Sequence, residues 1–112
     1  MFGGLKMTEY HILQSLKRYE IEDYRCFFTG KTAIQNAHRI PRTKMYLKKY
    51  GSEIINHNIN LVPVLNLEYN SKINVGNKPV TIEKIAQFIK DNKDKDLTAR
   101  EINNSLGLSY EK

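Results

Sequence analysis

The run NLVPVL at residues 60–65 restricts the fold more than any other stretch. Its branched apolar residues favour a strand, yet Pro63 has no N–H to give to a ladder. A strand built on it belongs at an edge or in an irregular ladder. The rest of the chain reads mainly as helix and loop. Thr8 is placed to cap a helix ending near Tyr19, with Ile12, Leu13, Leu16 and Tyr19 on its apolar face. Residues 24–29 (YRCFFT) are aromatic and stop at Gly30, as a strand or knuckle before a turn does. His38 to Pro41 reads as extended, because Ile40 precedes proline.

Residues 43–56 read as a basic, loop-rich connection broken by Gly51, and a short helix is expected from about Tyr69 to Ile73. NVGNKP at 74–79 reads as a loop. Thr81 then opens a helix with Ile82, Ile85, Ala86 and Ile89 along one side. After a charged linker at 90–96, Thr98 and Glu101 form a capping box, Ala99, Ile102 and Leu106 share a face, and Gly107 supplies the turn. This last segment reads either as an ordinary capped helix or as part of a helix-turn-helix.

With 112 residues and one cysteine, the chain must fold on apolar packing alone, without an internal disulfide. Cys26 reads as a small buried hydrophobe. No apolar run approaches a membrane span and no secretory signal is recognisable, so an intracellular, soluble protein with no membrane partner is expected.

The formal charge of +6 is unevenly spread. Arg39, Arg42, Lys44, Lys48 and Lys49 fall within 39–49 with no acid among them, whereas KDNKDKD at 90–96 nearly cancels. A clustered excess of this kind is the footprint of a polyanion partner. It also surrounds His38, in NAHRIPRTK, with cations that favour the neutral imidazole. His38 therefore reads as a candidate base on a phosphate-binding surface. His57 reads as a polar loop residue and His11 as a structural or solvent-facing one.

CFFTGK, QNAHRIP, KKYG and NHNINLVPVLNLEYNSKIN, in that order over residues 24–76, resemble the HNH (ββα-metal, or His-Me finger) endonuclease family. The resemblance implies an α+β fold in which two antiparallel strands and a helix hold one divalent cation, Mg²⁺ or Mn²⁺, over a scissile phosphate. Residues 1–23 would be an N-terminal helical extension, 24–76 the core and 77–112 a helical appendage. His38 matches the family's general base. Asn60 matches the asparagine that restrains the connecting loop and helps orient the histidine. Asn70, next to Tyr69, matches the metal ligand.

Arg39 and Arg42 would clamp flanking phosphates of double-stranded DNA, with Lys44, Lys48 and Lys49 adding sequence-independent attraction. Ala37 stands where the family usually has an acid or a second histidine, leaving the substrate phosphate or Gln35 to complete the metal site. Thr29, Leu65 and Tyr69 stand where many relatives have cysteines, so no structural zinc is expected. The rival expectation is a non-catalytic DNA-binding domain that keeps the fold after losing the metal.

Overall fold

Pro63 takes the edge position its chemistry demands. In a computed structural model describing residues 7–75 and 78–110, β2 (Leu61–Val64) pairs antiparallel with β1 (Gln35–His38) and with no other strand. Gln35 lies opposite Val64, Asn36 opposite Pro63 and His38 opposite Leu61. The Arg39 N–H donates to the Asn60 carbonyl at 2.8 Å. Hydrogen-bonded pairs alternate along such a ladder, so the missing N–H of Pro63 falls on the outer side. Its carbonyl on that side accepts from Phe27 N–H at 2.9 Å.

Among the described residues six α-helices surround this hairpin in a small α+β domain: α1 (Met7–Ile21), α2 (Lys44–Tyr50), α3 (Ser52–Ile55), α4 (Leu67–Ile73), α5 (Pro79–Asn92) and α6 (Ala99–Leu106). A 3-10 turn, Asn58–Asn60, leads into β2. Strand alternation puts Gln35, Ala37, Val62 and Val64 on one face and Asn36, His38, Leu61 and Pro63 on the other. On the first face Ile73 of α4 packs with Ala37, Val62 and Val64, beside Cys26 and Phe28. On the second, Asn36 donates to the Ser15 carbonyl of α1 at 3.2 Å. The hairpin is thus held between α1 and α4.

The apolar side of α5 is buried as its spacing predicts. Ile82, Ile85, Ala86 and Ile89 share a core with Ile40, Ile55, Ile59 and Ile102. Residues of 24–76 and 77–112 thus share one core. The capping box of Thr98 and Glu101 forms, and Gly107 ends α6 at φ +69°. Ala99, Ile102 and Asn103 of that helix are buried, so α6 turns its sequence-encoded face inward. No described helix is long and apolar enough to cross a membrane.

Several expectations are corrected. The basic stretch after Arg42 is helical: Thr43 caps α2 by accepting from Tyr46 N–H, and Gly51, at φ +89°, separates α2 from α3. Tyr46, Leu47, Tyr50 and Ile54 pack on the larger core and supply the burial that makes these short helices stable. α4 starts at Leu67 because Asn66 accepts from Tyr69 N–H at 3.1 Å. α5 starts at Pro79, whose missing N–H costs nothing in a first helical turn, so Thr81 lies inside the helix. The helix also runs on to Asn92, into the expected linker. Residues 24–29 form a knuckle with one isolated bridge, Arg25 to Thr32. Of the expected loop 74–79, Gly76 and Asn77 lie outside the described residues, as do the first six residues of the chain.

The largest correction concerns α1, which runs to Ile21 and is turned over. Ile12, Leu13 and Leu16 are 54%, 51% and 46% exposed, while Tyr10 and Arg18 are buried. The reason is polar. Arg18 donates through Nε to the Asn58 carbonyl and through Nη2 to Asn58 Oδ1, both at 2.9 Å. Its Nη1 reaches the Leu97 carbonyl at 2.8 Å and Glu22 at 2.9 Å. Gln14 accepts from the Asn58 backbone and side chain at 2.8 Å each. An apolar face here would strand those buried polar groups.

Arg18→Met should therefore cost about 3 kcal/mol, the usual scale for breaking a buried charged network, whereas Leu13→Ser should stay within about 0.5 kcal/mol. Urea denaturation of the two variants checks the inverted helix directly.

Candidate functional site

The site begins at the end of β1, where strand alternation turns His38 toward α1. Buried Asn56, just after α3, presents Oδ1 to His38 Nε2 at 3.4 Å. A carboxamide oxygen only accepts, so the neutral imidazole carries its proton on Nε2 and keeps the Nδ1 lone pair free. Burial chiefly, with His11 and Arg42 adding to it, pushes His38 down to about 4 against the opposing Asn56 hydrogen bond. Near neutral pH this imidazole is uncharged and able to take a proton.

Asn60 is fully buried, and its side chain is spent on the backbone. Oδ1 accepts from Ile40 N–H at 2.8 Å, while Nδ2 donates to the Ile40 carbonyl at 3.1 Å and the Ile55 carbonyl at 2.8 Å. These bonds clip together the two ends of the excursion that contains α2 and α3. Asn56, rather than Asn60, touches the imidazole. No feature of the sequence separates these two in the run Asn56–His57–Asn58–Ile59–Asn60; the distinction is made by tertiary contact.

Asn70 projects from α4 on the other side of the hairpin, where Nδ2 donates to Gln35 Oε1 at 2.6 Å. Among the described residues no hydrogen bond joins His38, Asn60 and Asn70 to one another. Asn70 and Gln35 are brought together, but on the face opposite His38. Two neutral carboxamides, already bonded to each other, make a poor resident site for a hard dication, which is normally held by carboxylates. The neighbouring Ala37 is fully buried against Ile73 and offers no ligand. No cluster of three His, Cys, Asp or Glu side chains suited to a metal occurs among the described residues. The residues present do not fit the expected Mg²⁺ site, and no chemical step is derived through it.

Arg39 is the clearest correction to the expected phosphate contacts. It is fully buried, donating through Nε to the Ile59 carbonyl at 3.1 Å and through Nη1 to Asn103 Oδ1 and, at 3.2 Å, to the Tyr110 hydroxyl. It is a structural staple with no surface to offer DNA. Lys49 is exposed but engaged, paired with Glu83 at 3.0 Å, and Tyr50 donates to the same carboxylate at 2.6 Å, so both tie α2 to α5. Arg42, Lys44 and Lys48 are exposed and make no ion pair among the described residues. Lys44 and Lys48 lie one helical turn apart on α2.

His57 is buried as well. Its Nδ1 accepts from Ile59 N–H at 3.0 Å and Nε2 donates to the Lys93 carbonyl at 3.0 Å, and burial chiefly pushes it down to about 4. Burial raises the Cys26 thiol, but hydrogen bonds from Thr29 and from the backbone of Thr29, Phe28 and Leu65 outweigh it and hold the thiol below its ordinary value. No family model, curated protein or solved structure matches the chain.

Two outcomes are expected. Asn60→Ala leaves three backbone groups of Ile40 and Ile55 without their partner and should cost about 3 kcal/mol in urea denaturation. His38 and His57 both bind protons more weakly folded than unfolded. Their contribution to stability is complete above about pH 6.5 and is lost as pH falls toward 4. The combined slope is at most about 2.7 kcal/mol per pH unit, and His57→Gln should remove roughly half of it. Urea midpoints measured between pH 7.5 and 4.5 test this sign.

Proposed function

We propose that the chain binds double-stranded DNA through its phosphates and hydrolyses a phosphodiester bond, with His38 as general base. The observation that carries this reading is the state of His38: neutral at physiological pH, oriented by Asn56, with Nδ1 free and Arg42 beside it. In the reaction Nδ1 takes a proton from water, the resulting hydroxide oxygen bonds to phosphorus, the bond to the leaving sugar oxygen breaks, and that oxygen takes a proton from solvent. Arg42 stands where it can offset charge on the phosphoryl oxygens. Lys44 and Lys48 give the flanking backbone a sequence-independent hold.

The HNH reading is supported by the order β1, β2, α4, by the antiparallel register and by the Asn60 clip. A second reading, a DNA-binding domain without catalysis, is favoured by one specific feature. Buried Ala37 and the mutually bonded Gln35–Asn70 pair leave the place of a metal without a charged ligand.

Plasmid nicking, with and without added Mg²⁺ or Mn²⁺, separates the two. Hydrolysis predicts nicking that falls at least about 100-fold in His38→Ala while DNA affinity stays within about twofold. Binding with no nicking under any of these conditions favours the second reading. For either reading, Arg42→Ala and Lys48→Ala should each lower the salt slope of DNA binding by about one; unchanged slopes would remove the phosphate surface from both.

A further inference from the structure

The face of the hairpin that carries His38 holds a second imidazole. His11, on α1, has its ring centroid 5.9 Å from that of His38, the planes tilted by 54°. Arg42 lies close enough to lower the proton affinity of both rings. The groups acting on the pair are therefore His11 from α1, His38 and Asn56 from β1 and the end of α3, and Arg42 from the loop before α2. None is a carboxylate. Two imidazoles and a guanidinium from three separate elements thus act on one another with no carboxylate among them, an arrangement that disfavours every added proton until an anion joins it. The two rings are unequal. His38 is the more deeply placed and bonded to Asn56, while His11 is more open to solvent. When the environments of paired titratable groups diverge in this way, their roles diverge as well.

We infer that His11 is a phosphate-binding partner of His38, its imidazolium donating to a non-bridging oxygen of the same nucleic-acid phosphodiester, alongside Arg42, while His38 stays neutral. This rests on the reading of His38 as facing a DNA phosphate. Binding then takes up one proton from solvent on His11, because the bound anion favours its charged form. Affinity must rise as pH falls, whereas a permanently charged Arg or Lys contact gives no change over the same range.

The test is fluorescence anisotropy of the full chain with a 12-base-pair duplex, at fixed ionic strength and without divalent ions, at pH 7.5 and 5.5. Binding of the natural sequence should tighten about 3- to 10-fold at the lower pH, within the limit set by one linked proton. His11→Gln should lose that change, and His11→Arg should bind tightly at both values, with far-UV circular dichroism showing that each variant is folded. A pH effect unchanged in His11→Gln, or absent from the natural sequence, overturns the inference. Nicking at pH 7.5 is scored separately. Tightening that depends on His11 without nicking keeps His11 and ends the hydrolase reading, whereas nicking with a His11-independent pH effect does the reverse. No binding at either pH ends both.

Discussion

Two buried guanidinium groups hold this molecule together. Arg18 and Arg39 are both fully buried, and both bond the segment 57–60, at the Asn58 and Ile59 carbonyls. Backbone N–H groups answer the carbonyls of His57, Asn58 and Asn60. The Ile59 carbonyl takes its donor from Arg39, and Arg18 adds a second donor to Asn58. Arg18 brings in α1 and the turn before α6 through Leu97, and Arg39 brings in α6 and the C-terminal segment through Asn103 and Tyr110. Burial pushes both guanidinium groups down from their ordinary values, and Glu22 near Arg18 works against the shift. Removing Arg18 takes the donor from the Leu97 carbonyl and Asn58 Oδ1 and the counter-charge from Glu22. Removing Arg39 takes the donor from the Ile59 carbonyl and Asn103, which is why the network is costly to break.

The candidate site inherits its order from the same segment. Asn56, Asn58 and Asn60 sit two apart and do three different things: the first meets the His38 ring, the second meets Arg18 and Gln14, and the third clips Ile40 to Ile55. His57 between them secures the connection after α5 through the Lys93 carbonyl. The imidazole of His38 is therefore set by Asn56, which belongs to this bonded polar segment. Arg42 beside it, and Lys44 and Lys48 further along, make no ion pair among the described residues, whereas Lys49 is drawn away to Glu83.

Local chemistry was legible where one short motif decides the outcome. The α5 stripe, the α6 capping box with Gly107, and the edge strand around Pro63 follow from spacing, caps and a missing N–H. The neutral state expected for His38 also follows from its neighbours, though burial contributes more than charge. Illegible features are those in which a distant partner overrides a local preference. The apolar side of α1 looked like core because nothing in residues 8–19 announces that Arg18 must reach Asn58, forty positions on. Arg39 looked like a phosphate clamp for the same reason. Thr43 as a cap, and the aromatic spacing of Tyr46 and Tyr50, were signals for α2 that its high basic content obscured. Asn70 was placed on a helix correctly, but its amide turns to Gln35, and only side-chain packing reveals that.

The partners of Arg39 have a consequence for how the chain is made. Asn103 and Tyr110 lie 64 and 71 positions downstream of it. During synthesis, β1 and the arginine that follows it emerge long before the residues that complete their interior, so the hairpin cannot close around that charge while the polypeptide is still short. The nascent protein must keep this guanidinium in water until nearly all of the described sequence has left the ribosome. Completion of the interior around β1 is then tied, in time, to the arrival of α6 and Tyr110.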